Sequence, residues 1–150
     1  MTMTMSELRA QLGSIEPDDA TYAGLGPDEV DMLRQLLDDE EAWLAARAVH
    51  ALSRIDDDRA RAAVAEAARS PRMELRVAVA AAAPEMPPET SDDLLANLLT
   101  DDHGAVRKFA INAVSERNSA AVRSQVSTLA ANETDARLRA LADEKARSVS

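Results

Sequence analysis

Leu33, Val64, Leu95 and Val126 follow one another at a constant interval of 31 residues. Two further series keep the same step: Leu44, Leu75 and Val106, and Ala51, Ala82 and Ala113. A repeat of this length marks stacked supersecondary units, each unable to bury its apolar stripe without a neighbour. Alanine supplies 31 of the 150 residues and glycine only 4. Ala is the best helix former and Gly among the worst, so the units are expected to be helical hairpins. The expected fold is all-α: a right-handed α-solenoid of about four stacked hairpins. Small side chains fill little space, so a Leu, Val and Ala core requires close helix approach.

The local pattern divides the chain into an N-terminal extension over 1–26 and a repeat region over 27–150. Residues 3–12 read as a short helix with Leu8 and Leu12 on one side and Gly13 at its end. Residues 14–26, with Pro17, Gly24 and Gly26, read as an irregular linker. Tyr22 and Leu25 are expected to tuck it onto the first repeat. The repeats are read at about 27–55, 58–84, 91–116 and 119–147 from helical spacing of apolar residues. Pro27 suits a first helical turn, and Asp28 and Glu29 complement the helix dipole there. The helix pairs are expected near 58–69 and 72–83, then 92–100 after an N-cap at Ser91, then 119–131 and 134–146. Val106, Phe109, Ala110, Ala113 and Val114 are expected to line the second helix of the third hairpin. The last helix turns polar near Lys145, as a terminal capping repeat does.

The third unit reads Leu98-Leu99-Thr100-Asp101-Asp102-His103-Gly104-Ala105-Val106-Arg107-Lys108-Phe109-Ala110. An apolar helix, an acidic turn, then apolar-Arg and spaced alanines resembles the HEAT repeat family. The likeness includes the short bacterial HEAT-like repeats first associated with phycobilisome lyases. Leu75-Arg76 and Leu138-Arg139 keep the pattern, the latter after a one-residue slip, whereas Leu44 is followed by Ala45. The resemblance covers about residues 27–147. It implies a curved surface lined by second helices, used mostly for protein binding. Arg76, Arg107 and Arg139 are read as structural, pairing with turn acids such as Asp101 in the same or the adjoining unit. Such pairs, when exposed, are worth about 0–1 kcal/mol each.

Charge narrows the partners. The net charge is −10, and all of it lies in residues 1–58, which carry 4 basic and 14 acidic side chains. That density repels nucleic acid and anionic lipid. It acts either as a solubilising surface or as a face for a basic partner. No nucleic acid and no membrane are expected as partners. The chain has no cysteine, no signal-peptide pattern and no apolar run longer than Val77 to Ala83. A cytoplasmic protein is the expectation; the residues leave its oligomeric state open.

Chemistry-bearing motifs are absent from the sequence. No His-x-x-x-His pair provides zinc ligands. Asp56-Asp57-Asp58 lacks the Gly and Glu of a calcium loop. No phosphate loop, dinucleotide fingerprint or nucleophile elbow occurs. His103, after two aspartates at a helix start, reads as part of a cap. No catalytic residue, metal or cofactor is expected. One constellation remains: Trp43, Arg47, His50 and Arg54 at i, i+4, i+7 and i+11 form one helical stripe. Trp and Arg are enriched at binding hot spots. With Lys108 and Asn112 two repeats along, the stripe is a candidate protein-binding surface. The competing reading has Trp43 covering the end of the stack under the N-terminal segment.

The expected function is a non-catalytic adaptor or scaffold. The alternatives are an immunity or antitoxin-type inhibitor of a basic protein, and a HEAT-like bilin lyase or alkylpurine DNA glycosylase. A −10 charge and 2% aromatics disfavour a glycosylase groove.

Overall fold

The structure is a computed structural model that describes residues 3–13 and 19–150. Residues 14–18 of the expected linker, including Pro17, lie outside the described residues. Among the described residues there are nine α-helices and no strand. The chain divides into two compact units, Met1–Ala78 and Val79–Ser150.

The first unit holds α1 (Met5–Leu12), 3-10 turns over Asp19–Tyr22 and Pro27–Glu29, α2 (Val30–Leu36), α3 (Ala42–Ser53) and α4 (Asp58–Ala67). The division falls within α5 (Met73–Ala82). Thr4 starts α1 with a capping box: its hydroxyl accepts from the Glu7 amide, and Glu7 reaches back to the Thr4 amide. Leu8 and Leu12 then fall on one face and are wholly buried, which seats α1 on α3. Pro27 opens a 3-10 turn before α2 rather than the α-helix itself. Glu29 is buried there and accepts from the Gly26 amide at 2.9 Å. α2 packs on α3 and α4, and α3 on α4.

The second unit holds a 3-10 turn (Ala83–Glu85), α6 (Pro88–Leu98), α7 (Gly104–Ala113), α8 (Ala120–Asn132) and α9 (Ala136–Val149). α6 packs on α7 and α8, α9 on α7 and α8. Ser91 does not cap α6. The helix begins at Pro88, whose preset φ and missing N–H suit a first position. Ser91 lies buried inside the helix and accepts from Asn118 Nδ2 at 3.3 Å. Ser119 caps α8 through the Val122 amide. Asp135 caps α9 through the Arg137 and Leu138 amides.

The periodic residues are core. Leu33, Val64, Leu95 and Val126 are each completely buried, and Leu44, Leu75 and Val106 nearly so. Burial of a side chain this size contributes about 1.5–3 kcal/mol. Ala51 and Ala82 are buried, whereas Ala113 is only half-buried. Phe109 departs further: it is 38% exposed. The inward direction of α7 is taken by Val106, Ala110 and Ile111, which turns Phe109 to the helix edge.

The repeated arginines have one shared task. Arg76 donates to the Ser70 carbonyl at 2.9 Å, Arg107 to Asp101 O at 2.9 Å and Arg139 to Glu133 O at 3.0 Å. Each reaches six residues back, to a turn whose carbonyls have no intrahelical partner. The acceptor is the turn backbone rather than an Asp101 carboxylate alone. Arg107 also grips Glu133 of the adjoining hairpin through two bonds of 3.0 Å.

A second set of bonds spans one repeat. Arg59 donates to Pro27 O at 3.0 Å, Arg72 to Asp39 O at 2.7 Å, Arg117 to Pro84 O at 2.9 Å and Lys145 to Val114 O at 2.9 Å. Their separations of 31 to 33 residues match the sequence period.

Candidate functional site

α3 carries the predicted stripe, and its neighbours divide the four residues between two roles. Trp43, the only tryptophan, stands 47% exposed at the start of the helix. Its indole Nε1 donates to Glu41 Oε2, and the Arg47 guanidinium lies 5.2 Å from the ring centroid. Such cation–π contacts at exposed sites are worth about 0.5–1 kcal/mol.

Arg47, His50 and Arg54 face the N-terminal segment instead. Arg47 donates to Leu12 O at 2.5 Å, satisfying a carbonyl at the end of α1. Arg54 sits over the Tyr22 ring at 4.6 Å, and the Tyr22 and His50 rings are 6.5 Å apart. Burial raises the Tyr22 pKa, against the pull of Arg47 and Arg54. Gln11 fastens the same segment by donating to Thr21 O at 3.0 Å and Ala23 O at 2.8 Å. The stripe is therefore mostly a seat for this chain's own first residues, with Trp43 left at its open end.

The turn before Trp43 is strongly acidic. Asp38, Glu40 and Glu41 are exposed. Asp39 pairs with Arg9 at 2.5 Å, and that hydrogen bond holds its carboxyl below the ordinary range.

Lys108 and Asn112 lie on α7 in the second unit, both exposed. The Asn112 carbonyl accepts from Lys145 Nζ at 3.1 Å. Lys108 borders an open hollow of about 490 Å³ between the starts of α7 and α9. Ala105, Leu138 and Leu141 line it, and Lys108, His103, Asp135 and Arg137 ring it. His103 Nδ1 accepts from the Ala105 amide at 3.2 Å, so the imidazole is the cap of α7, while the Asp101 carboxylate accepts from the His103 backbone amide at 2.9 Å. Amide donors, that of Leu138 foremost, hold the Asp135 carboxyl below its usual range. Among the described residues, the Lys108 and Arg137 side chains make no hydrogen bond, and the Arg137 charge adds to the lowering of the Asp135 pKa.

Sequence reasoning named Lys108 but missed Arg137, Leu138 and Leu141 as its companions. The one-residue slip at Leu138-Arg139 was the available signal, since it marks where α9 departs from the register of α7. Among the described residues, no three His, Asp or Glu side chains converge on a metal position, and no helix is long and apolar enough to cross a membrane. Compared with protein-family models and with curated proteins, the chain matches none.

Proposed function

We propose that this chain is a non-catalytic adaptor or scaffold of the HEAT-like kind, a solenoid of helical hairpins that binds another protein along its second helices. The exposed Trp43 carries this reading. A large aromatic held out of the core beside Arg47 and an acidic turn has the composition of a binding anchor. The stacking register supports the solenoid: bonds of 31 to 33 residues link successive hairpins at the sequence period.

The acidic turn favours a basic partner, which also keeps an immunity-type inhibitor of a basic protein as the second reading. A partner captured from the native cell extract by the wild-type chain and lost by Trp43→Ser, with unchanged circular dichroism, supports the proposal. Equal capture by the variant removes Trp43 as the anchor. A toxin-like enzyme among the captured proteins, inhibited in proportion to added chain, selects the second reading.

A further inference from the structure

The hollow between α7 and α9 differs in character from the acidic surface around Trp43. Its floor is aliphatic, from Ala105, Leu138 and Leu141. Its volume of about 490 Å³ lies within the range of small-ligand sites, roughly 300–1,000 Å³, and so has room for one large side chain. Among the described residues, the two cations on its rim, Lys108 and Arg137, make no hydrogen bond, although Arg137 also feels the Asp135 carboxylate; Arg107 nearby is committed to Glu133 and to two turn carbonyls. Asp135, the acid on the rim, is committed to two backbone amides of α9. The His103 ring spends Nδ1 on the Ala105 amide, which leaves Nε2 as an N–H donor toward solvent or ligand.

We propose that this hollow binds an acidic peptide segment, with an apolar side chain on the aliphatic floor and flanking carboxylates on Lys108 and Arg137. The occupant follows from charge complementarity. Lys108 and Arg137 outnumber Asp135 on the rim, and residues 59–150, with 13 basic and 13 acidic side chains, carry none of the chain's excess negative charge; this local balance favours an anion, and the apolar floor selects a side chain over a bare ion. The inference deepens the protein-binding reading by giving the chemistry of one partner segment. It rests on that reading for its biological role but not for its test.

The probe is a synthetic peptide, acetyl-Glu-Glu-Phe-Glu-Glu-amide, titrated into the full chain at low salt and followed by NMR shifts of α7 and α9 amides. Two control peptides replace Phe by Ala, or every Glu by Lys. The expected result is saturable binding, with the largest shifts at Ala105, Lys108, Leu138 and Leu141. Both controls weaken it. The double variant Lys108→Glu/Arg137→Glu weakens it roughly tenfold or more, since it turns two attractive charge contacts into repulsive ones. Both positions are exposed, so the variant folds; matching circular dichroism checks this, and Lys108→Gln/Arg137→Gln gives an intermediate loss.

No saturable shift, equal binding of the lysine peptide, or full binding by the double variant overturns the proposal. So does a dimer in light scattering that the double variant dissolves, because a second copy then fills the hollow. Trp43→Ser keeps the peptide affinity, so loss of partner capture by that variant and failure of the hollow are read separately.

Discussion

Among the described residues, Glu133 is an acid tied deeply into the fold. Its side chain is buried and held by both nitrogens of the Arg107 fork. That hydrogen bonding, foremost, lowers its pKa against the opposing effect of burial. A carboxyl with a depressed folded-state pKa stabilises the fold above its unfolded value, near 4.3. That contribution is lost as pH falls through the lower folded value. Glu133→Gln is therefore expected to cost about 1–3 kcal/mol at neutral pH, with Arg107 left short of its charged partner. It should also flatten the acid limb of stability below about pH 4.3. Urea titrations at several pH values check both.

Asn118 makes a comparable case without charge. It is buried, donates to Asp92 at 2.8 Å and Ser91 at 3.3 Å, and accepts from the Ser115 amide at 2.9 Å. Asn118→Leu leaves several of these groups unsatisfied and is expected to lose roughly 1–3 kcal/mol in the same assay. Gly104→Ala should act in the opposite direction. A Cβ there meets Leu138 Cδ1 at 3.5 Å, an ordinary contact, and a helical Gly→Ala change at a compatible site gains about 0.4–1 kcal/mol.

At the scale of elements, helix existence follows from caps and apolar spacing, and both are local. Leu44, Ala48, Ala51 and Leu52 recur at helical spacing, and α3 buries all four. Helix starts were less legible where two signals compete. Pro88 and Ser91 both announce a beginning, and the proline prevails because a first-turn position needs no N–H. Phe109 shows another limit, since its hydrophobicity predicts burial but a core packed to the width of alanine leaves no space for a ring. α1 tests the role of the N-terminal segment. Leu8→Ala opens a cavity under a fully buried side chain and is expected to destabilise by about 2–5 kcal/mol. Faster hydrogen exchange in α1 and at the Tyr22 turn, more than in α8 and α9, is the accompanying signature.

For the whole molecule, the lopsided charge predicts the kinetics of the proposed partner. An excess of ten acids in residues 1–58 speeds encounter with a basic protein and does so less in salt. Raising ionic strength from roughly 0.05 to 0.5 M is expected to slow association about tenfold while changing dissociation little. Stopped-flow with the Trp43 signal measures this, and a salt-independent rate assigns the acids to solubility alone.

The repeat period, the helical class and the buried register were already determined by the order of residues, because each depends on spacing along the chain and on side-chain size. Tertiary structure alone decided how the surface is shared. Whether Arg47, His50 and Arg54 meet a partner or the chain's own Leu12 and Tyr22 depends on residues more than twenty positions away in sequence. The hollow beside Lys108 likewise exists only where α9 lies against α7. Helical periodicity specifies which face of each helix turns inward; three-dimensional packing specifies what lies against it.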